Sequence, residues 1–183
     1  MVDGAIAITG GIAEGKSTVL NMIEAEGFRV CSADTVAKVV AEDPVTQQMV
    51  AQALGSEQLL GKEELRHRVA TDSDARRAVN QVVHPLVWDH LLTSGAQFIE
   101  VPLLMEACLQ AEFNRVWVVT CGEDEQLRRL INRAGNEQIA RGMIGSQLPT
   151  EVKSAFADQI IRTDRDLADV NVHVRTLLES CFA

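Results

Sequence analysis

Ala5-Ile6-Ala7-Ile8-Thr9-Gly10-Gly11-Ile12-Ala13-Glu14-Gly15-Lys16-Ser17-Thr18 is the stretch that decides the fold. Ala5–Thr9 is apolar and short enough for a buried strand, and Gly10–Ser17 fits G-x-x-x-x-G-K-[ST]. The pattern has a mechanism. Gly10 and Gly15 permit backbone angles that other residues resist. The N–H groups of the loop and of the following helix N-terminus can then cradle phosphate oxygens. Lys16 places a point charge near the β- and γ-phosphates of a nucleotide, and the Ser17 hydroxyl can ligate Mg²⁺. Gly10, Gly11, Ile12, Ala13, Glu14, Gly15, Lys16, Ser17 and Thr18 are the candidate nucleotide-binding residues, with Ser17 the candidate metal ligand. Glu14 is the awkward one. Turned inward it would repel a triphosphate, so it is expected to face solvent.

Outward from the loop, four more segments read as buried strands: Phe28–Cys31, Gln97–Val101, Val116–Thr120 and Gln159–Arg162. Helical patterns separate them, which predicts an α/β fold with a five-stranded parallel sheet flanked by helices. A helix over Ser17–Glu26 stops at Gly27. Asp43-Pro44 is an N-cap followed by proline at the first helical position. Residues 33–94 are mostly helical and longer than one crossover needs, so they read as a helical insertion. A helix from Glu123 through Arg133 leads into 134–147, whose composition suits a mobile lid. Trp88 and Trp117 are expected in the core.

The 183 residues favour one domain, and 26 acidic against 17 basic residues give a net charge of −9. That argues against nucleic acid or membrane as a general partner, since both need a positive footprint. No start of secretory type and no membrane span is visible, so a cytoplasmic location is expected. Cys31, Cys108, Cys121 and Cys181 are scattered, and are expected to be buried reduced thiols rather than zinc or redox sites. Arginine outnumbers lysine 13 to 4, which favours planar recognition of phosphate. Residues 126–153 hold five basic side chains against two acidic ones.

Several landmarks follow the loop in order: Ala33-Asp34; Leu60 with Lys62–Leu65; His84-Pro85; Pro102-Leu103-Leu104-Met105-Glu106; Gln126-x-x-Arg129-x-x-x-Arg133; Gln147; and Lys153-x-x-x-Ala157-Asp158. In this set the chain resembles dephospho-coenzyme A kinase along nearly its whole length. The resemblance implies a P-loop kinase core (1–32, 95–125 and 154–183), a helical substrate-binding insertion (33–94) and a lid (126–153). It implies transfer of the ATP γ-phosphoryl group to the ribose 3′-hydroxyl of dephospho-coenzyme A, with Mg²⁺. Asp34 would be the base, where an alternative is a helix N-cap. Lys16, Arg129 and Arg133 would complete the catalytic set. Arg129 and Arg133 lie four apart on one helix face and could grip the triphosphate, the alternative being an ion pair from Arg129 to Glu125. Asp34, Lys62, Leu65, His84, Leu103 and Glu106 would bind the acceptor. Lys62 is favoured by its motif position, His84 reads as a turn or packing histidine, and Glu106 is equally suited to anchoring structure.

The chain departs from the family pattern in places. Ser32 stands for the first Asp of Asp-Ala-Asp, and Lys62 for an arginine. Met143 takes a lid position that often holds arginine. Thr163-Asp164-Arg165 replaces Asn-x-Gly in a loop at the nucleotide base. These changes keep two alternatives open: a P-loop kinase for another nucleoside or small hydroxyl substrate, and a degenerate, non-catalytic nucleotide-binding protein.

Overall fold

The computed structural model describes residues 4–182. By contacts the chain divides into two compact units. One runs through Ser32 and resumes at Gly95, and the other is Ala33–Ser94.

In the first unit, strands β1 (Ile6–Thr9), β2 (Val30–Ser32), β3 (Phe98–Glu100), β4 (Arg115–Thr120) and β5 (Gln159–Arg162) form one sheet. Its order is β2-β3-β1-β4-β5, and every pair is parallel. A central strand covered on both faces must be apolar throughout, and all of β1 is buried. Side chains alternate between the faces. Ile6, Ile8, Phe98, Trp117, Val119 and Ile161 share one core with Val19, Leu20 and Ile23 of α1 (Lys16–Ala25). Val170, Val174, Leu177 and Leu178 of α9 (Leu167–Phe182) complete it. Full burial of each large side chain contributes about 2 kcal/mol. Trp117 lies 5.2 Å centroid to centroid from Phe98, which takes Phe28 edge-on at 5.6 Å. Ala7, Ile99, Val116 and Val118 point the other way and are also buried.

After β2 and β3 the chain crosses β1 to build β4 on its far side. This reversal makes the carboxyl end of β1 a topological switch point, where open α/β sheets form their ligand crevice. Helices α6 (Glu123–Ala134), α7 (Glu137–Gly145) and α8 (Thr150–Ser154) lie between β4 and β5. The stretch 134–147 expected as a lid is therefore largely the helix α7.

The Ala33–Ser94 unit holds α2 (Ala33–Glu42), α3 (Pro44–Ala53), α4 (Lys62–Thr71) and α5 (Ser73–Thr93), with α5 packed on the other three. Asp43 caps α3 by accepting from the Thr46 N–H at 2.8 Å, with Pro44 at the first turn. That hydrogen bond holds the Asp43 carboxyl below its usual value.

Three expectations need correction. Trp88, expected in the core with Trp117, is only half-buried. His84-Pro85 is no turn: both residues lie inside α5. Proline there leaves the Gln81 carbonyl without its helical donor, but Gln81 and Pro85 are exposed and water can serve it. Cys108 is exposed in the turns after β3, not buried, although Cys121 is buried and Cys31 and Cys181 half-buried. None of the four is in a disulfide.

Candidate nucleotide-binding site

β1 delivers the chain into the loop. Gly10 has φ 144, and a Cβ there would stand 2.2 Å from the Val119 carbonyl oxygen, so only glycine fits. Gly15, at φ 93, is the N-cap of α1, and its Cβ would stand 2.9 Å from Thr163 Oγ1. Ala13 takes the left-handed region without being glycine, at φ 62, which costs on the order of 1 kcal/mol. Strain of this kind persists where surrounding contacts enforce it.

Those contacts are side chains from distant segments. The Ile12 N–H donates to Gln147 Oε1 at 2.9 Å, and Gln126 Nε2 donates to the Ile12 carbonyl at 3.0 Å. Lys16 is buried, and its Nζ donates to the carbonyls of Gly10 at 3.1 Å and Gly11 at 2.8 Å. Ser17 is exposed in the first turn of α1, and Thr18 is half-buried.

Glu14 overturns the expectation that it faces solvent, being 1% exposed. Its Oε2 accepts from the Gly11 N–H at 2.5 Å and from Thr150 Oγ1 at 2.7 Å, and its Oε1 from Thr120 Oγ1 at 3.1 Å. Three donors replace the water the carboxylate gives up.

Of the two lid arginines, Arg129 adopts the ion pair. Its Nε meets Glu125 Oε1 at 2.7 Å, and its Nη1 and Nη2 donate to Thr163 Oγ1 at 3.1 Å and the Thr163 carbonyl at 2.6 Å. Thr163 Oγ1 in turn donates to the Glu14 carbonyl at 2.7 Å, so Arg129 is tied to the loop through one hydroxyl. Hydrogen bonds from Arg128 and Arg129 hold the Glu125 carboxyl down at about 2. Arg133 is exposed, and among the described residues it makes no ion pair. Arg141 pairs with Glu137.

Beside the loop lies a pocket of about 540 Å³, whose lining includes Cys121, Glu125, Arg129, Thr163 and Asp164. Burial pushes the Cys121 thiol up to about 11, so it is protonated and no nucleophile at neutral pH. Arg162 hydrogen-bonds Asp164 and holds its carboxyl below the usual range.

Glu106 meets the fully buried Lys153 at 2.9 Å and accepts from the Leu148 N–H at 2.9 Å, while Lys153 Nζ donates to the Pro102 carbonyl at 3.0 Å. Burial pushes the Glu106 carboxyl up, but these hydrogen bonds and the Lys153 charge outweigh it and leave it lowered. This is the anchoring arrangement. Leu103, in the same turns, is exposed.

The remaining sequence candidates belong to the other unit. Asp34 is exposed in the first turn of α2, two residues past β2. Lys62 opens α4, exposed, with its Nζ 3.1 Å from Glu42 Oε1. Leu65 is half-buried and His84 exposed. Sequence reasoning missed the bracing threonines Thr120, Thr150 and Thr163, whose hydroxyls sit in no recognisable spacing. Gln126 and Gln147 belong to the ordered landmarks of the sequence, but nothing in the sequence shows that both reach Ile12.

A Gly-rich loop between the central strand of a 2-3-1-4-5 parallel sheet and its first helix, with a loop lysine, defines a P-loop kinase. A family model for dephospho-CoA kinase matches residues 4–169, and the chain belongs to that family. It is 35% identical to the dephospho-CoA kinase of Methylococcus capsulatus, over 94% of this chain and 93% of that protein. It is also 35% identical to that of Shouchella clausii, over 85% and 87%. A crystal structure of a Thermus thermophilus protein superposes with a TM-score of 0.83 at 25% identity, covering 98% of each chain. The dephospho-CoA kinase structure from Campylobacter jejuni shares the fold, with a TM-score of 0.64 at 22% identity over 99% of this chain and 98% of that one. Family membership makes the chain an enzyme: an ATP-using kinase, a transferase acting on a hydroxyl group.

Proposed function

We propose that this chain, acting in the cytoplasm, transfers the γ-phosphoryl group of ATP to the ribose 3′-hydroxyl of dephospho-coenzyme A, giving coenzyme A and ADP. The observation that carries the reading is the strained, side-chain-braced loop Gly10–Ser17 at the switch point of the sheet. Its glycines let the backbone close on phosphate oxygens, and the start of α1 adds its dipole. Lys16 is held within the loop by two carbonyls, so it is in place to trade them for β- and γ-phosphate oxygens when ATP arrives. The base fits the 540 Å³ pocket, where Arg129 offers a guanidinium fixed by Glu125 and Thr163. Arg133, outside any ion pair among the described residues, is the lid cation suited to charge developing on the γ-phosphoryl group.

In the transfer, the 3′-oxygen forms a bond to the γ-phosphorus while the bond from that phosphorus to the β–γ bridging oxygen breaks and ADP departs. The hydroxyl proton passes to the Asp34 carboxylate, whose larger contribution is to orient the hydroxyl. Lys62, Leu65 and His84 of the Ala33–Ser94 unit, and Leu103 of the other, are the residues assigned to the acceptor, and Glu106 fixes the turns that carry Leu103. Among the described residues no cluster of three or more His, Cys, Asp or Glu forms a metal cage. One exposed hydroxyl, Ser17, suits Mg²⁺, which is held by few protein ligands plus phosphates and water. Bound there it would neutralise charge on the phosphates.

Purified protein incubated with Mg-ATP and dephospho-coenzyme A should yield ADP and coenzyme A one to one, saturably in both substrates. Equal ADP release with and without the acceptor, and no coenzyme A, would overturn the assignment.

A further inference from the structure

We propose that Glu14 is a positioning residue for the nucleotide: a buried carboxylate that shapes the phosphate loop from behind and couples it to the strap 147–150. The inference rests on the loop being the ATP site. A carboxylate inside a polyanion-binding loop is unfavourable on charge alone, since it repels the phosphates across a poorly screened interior. Solvation does not offset this, because the side chain is 1% exposed. What offsets it is a set of three hydrogen bonds to the side-chain oxygens, at 2.5, 2.7 and 3.1 Å.

The partners come from three parts of the chain. The Gly11 N–H belongs to the loop, Thr120 ends β4, and Thr150 opens α8. Thr120 Oγ1 also accepts from the Gly122 N–H at 3.1 Å, which fixes the direction in which its own proton points. The Glu14 main chain is gripped as well, by Thr163 Oγ1, the hydroxyl that Arg129 also holds. The loop is therefore clamped by α6 through Gln126 and Arg129, and by the strap through Gln147 and Thr150. The strap in turn is fixed at Leu148 and Lys153 by Glu106. Removing the Glu14 carboxylate frees the Gly11 N–H and the Thr150 hydroxyl together. It relaxes the loop that must meet phosphate and removes one of the two links, Gln147 and Thr150, that join the loop to the strap.

The test compares Glu14→Ala, Glu14→Gln, Thr150→Val and Lys16→Ala in the full chain. It reads KM for each substrate, kcat, and amide hydrogen exchange without nucleotide. Glu14→Ala should raise KM for ATP about tenfold while KM for dephospho-coenzyme A stays within about twofold. It should also speed exchange at 10–15 and at 147–153 together. Glu14→Gln keeps an acceptor for the Gly11 N–H and an amide that can donate to a threonine oxygen, so it should recover most of the ATP affinity. Thr150→Val should move KM for ATP the same way by about threefold, with little further change when combined with Glu14→Ala. If Glu14→Ala does not fold, Glu14→Gln and Thr150→Val carry the same comparison. Unchanged or tighter ATP binding in Glu14→Ala, equal weakening for both substrates, or exchange confined to 10–15 would overturn the proposal. Lys16→Ala separates the two ideas. If it leaves KM for ATP and kcat untouched, the loop is not the nucleotide site, while the exchange data still judge the coupling of Glu14 to the strap.

Discussion

Around the phosphate loop, Glu14, Lys16 and Gln126 are buried, and the loop is held from far along the chain. Gln126, Gln147, Thr120 and Thr150 all reach the loop from more than 100 positions away. In the Ala33–Ser94 unit, Asp34, Lys62 and His84 are exposed, and the Lys62 partner Glu42 is a surface residue in the same unit. The first arrangement is preorganised, with strain at Ala13 and dense hydrogen bonding fixed during folding. The second must order its side chains when an acceptor binds, and that entropy is subtracted from affinity. Substitutions in the first region should therefore act on nucleotide chemistry or on folding. Those in the second should act on acceptor kinetics with the fold intact.

Lys16→Ala is the sharpest trial of this contrast. It removes the loop cation while leaving the sheet core untouched. We expect kcat/KM to fall by ~10³ or more, with thermal unfolding shifted little. An active Lys16→Ala enzyme would mean that the preorganised region is only structural. Next comes Lys153→Met, which leaves Glu106 as an unpaired, largely buried carboxylate. We expect a loss of about 3 kcal/mol in urea unfolding. Adding Glu106→Gln should recover most of it, because the Lys153 substitution no longer leaves a charge behind. A fully destabilised double variant would place the cost in packing instead.

The contrast also marks what could be read from the sequence. The sheet was legible because buried parallel strands leave continuous apolar runs, as at Ile6–Thr9 and Val116–Thr120. The loop was legible because Gly10 and Gly15 answer local backbone demands. Strand edges shifted by a residue or two, and Phe28 and Arg29 fall outside β2, where the ladder and not composition sets the boundary. The direction of Glu14 was illegible for a different reason. Charge predicted solvent, but the deciding donors Thr120 and Thr150 lie over 100 positions away, and hydroxyl placement has no sequence period. The same holds for Arg129, whose choice of Glu125 follows helix spacing but whose bonds to Thr163 do not. His84-Pro85 misled because proline usually breaks a helix, yet an exposed site tolerates the lost donor.

On the exposed side, Asp34→Asn should cut kcat by ~10² while the affinity for ATP stays constant, measured by nucleotide titration without acceptor. Unchanged kcat would reduce Asp34 to a first-turn acidic residue of α2, worth only its interaction with the helix dipole.

A smaller effect is expected in acid. The Glu125 carboxyl, held at about 2 by Arg128 and Arg129, lies below its unfolded value of about 4.3. Its stabilising contribution is complete above that unfolded value and is lost as pH falls through about 2. Glu125→Gln should flatten the stability curve between those limits, most clearly at low salt, because the pair is partly exposed. An unchanged acid limb would show that Arg129 owes its position to Thr163 alone.

The smallest expected change tests the acceptor side most directly. Lys62 and Glu42 make an exposed ion pair, worth under about 1 kcal/mol, so Lys62→Ala should leave unfolding nearly unaltered. If Lys62 leaves Glu42 for a phosphate of the acceptor, the same variant should raise KM for dephospho-coenzyme A about threefold to tenfold and leave KM for ATP alone. Lys62→Arg sharpens the point, because a planar fork suits phosphate better than an ammonium does and should lower that KM. Glu42→Ala supplies the counterpart: by freeing Lys62 from its surface partner it should lower KM for the acceptor slightly, where a purely structural pair would raise it or leave it unchanged.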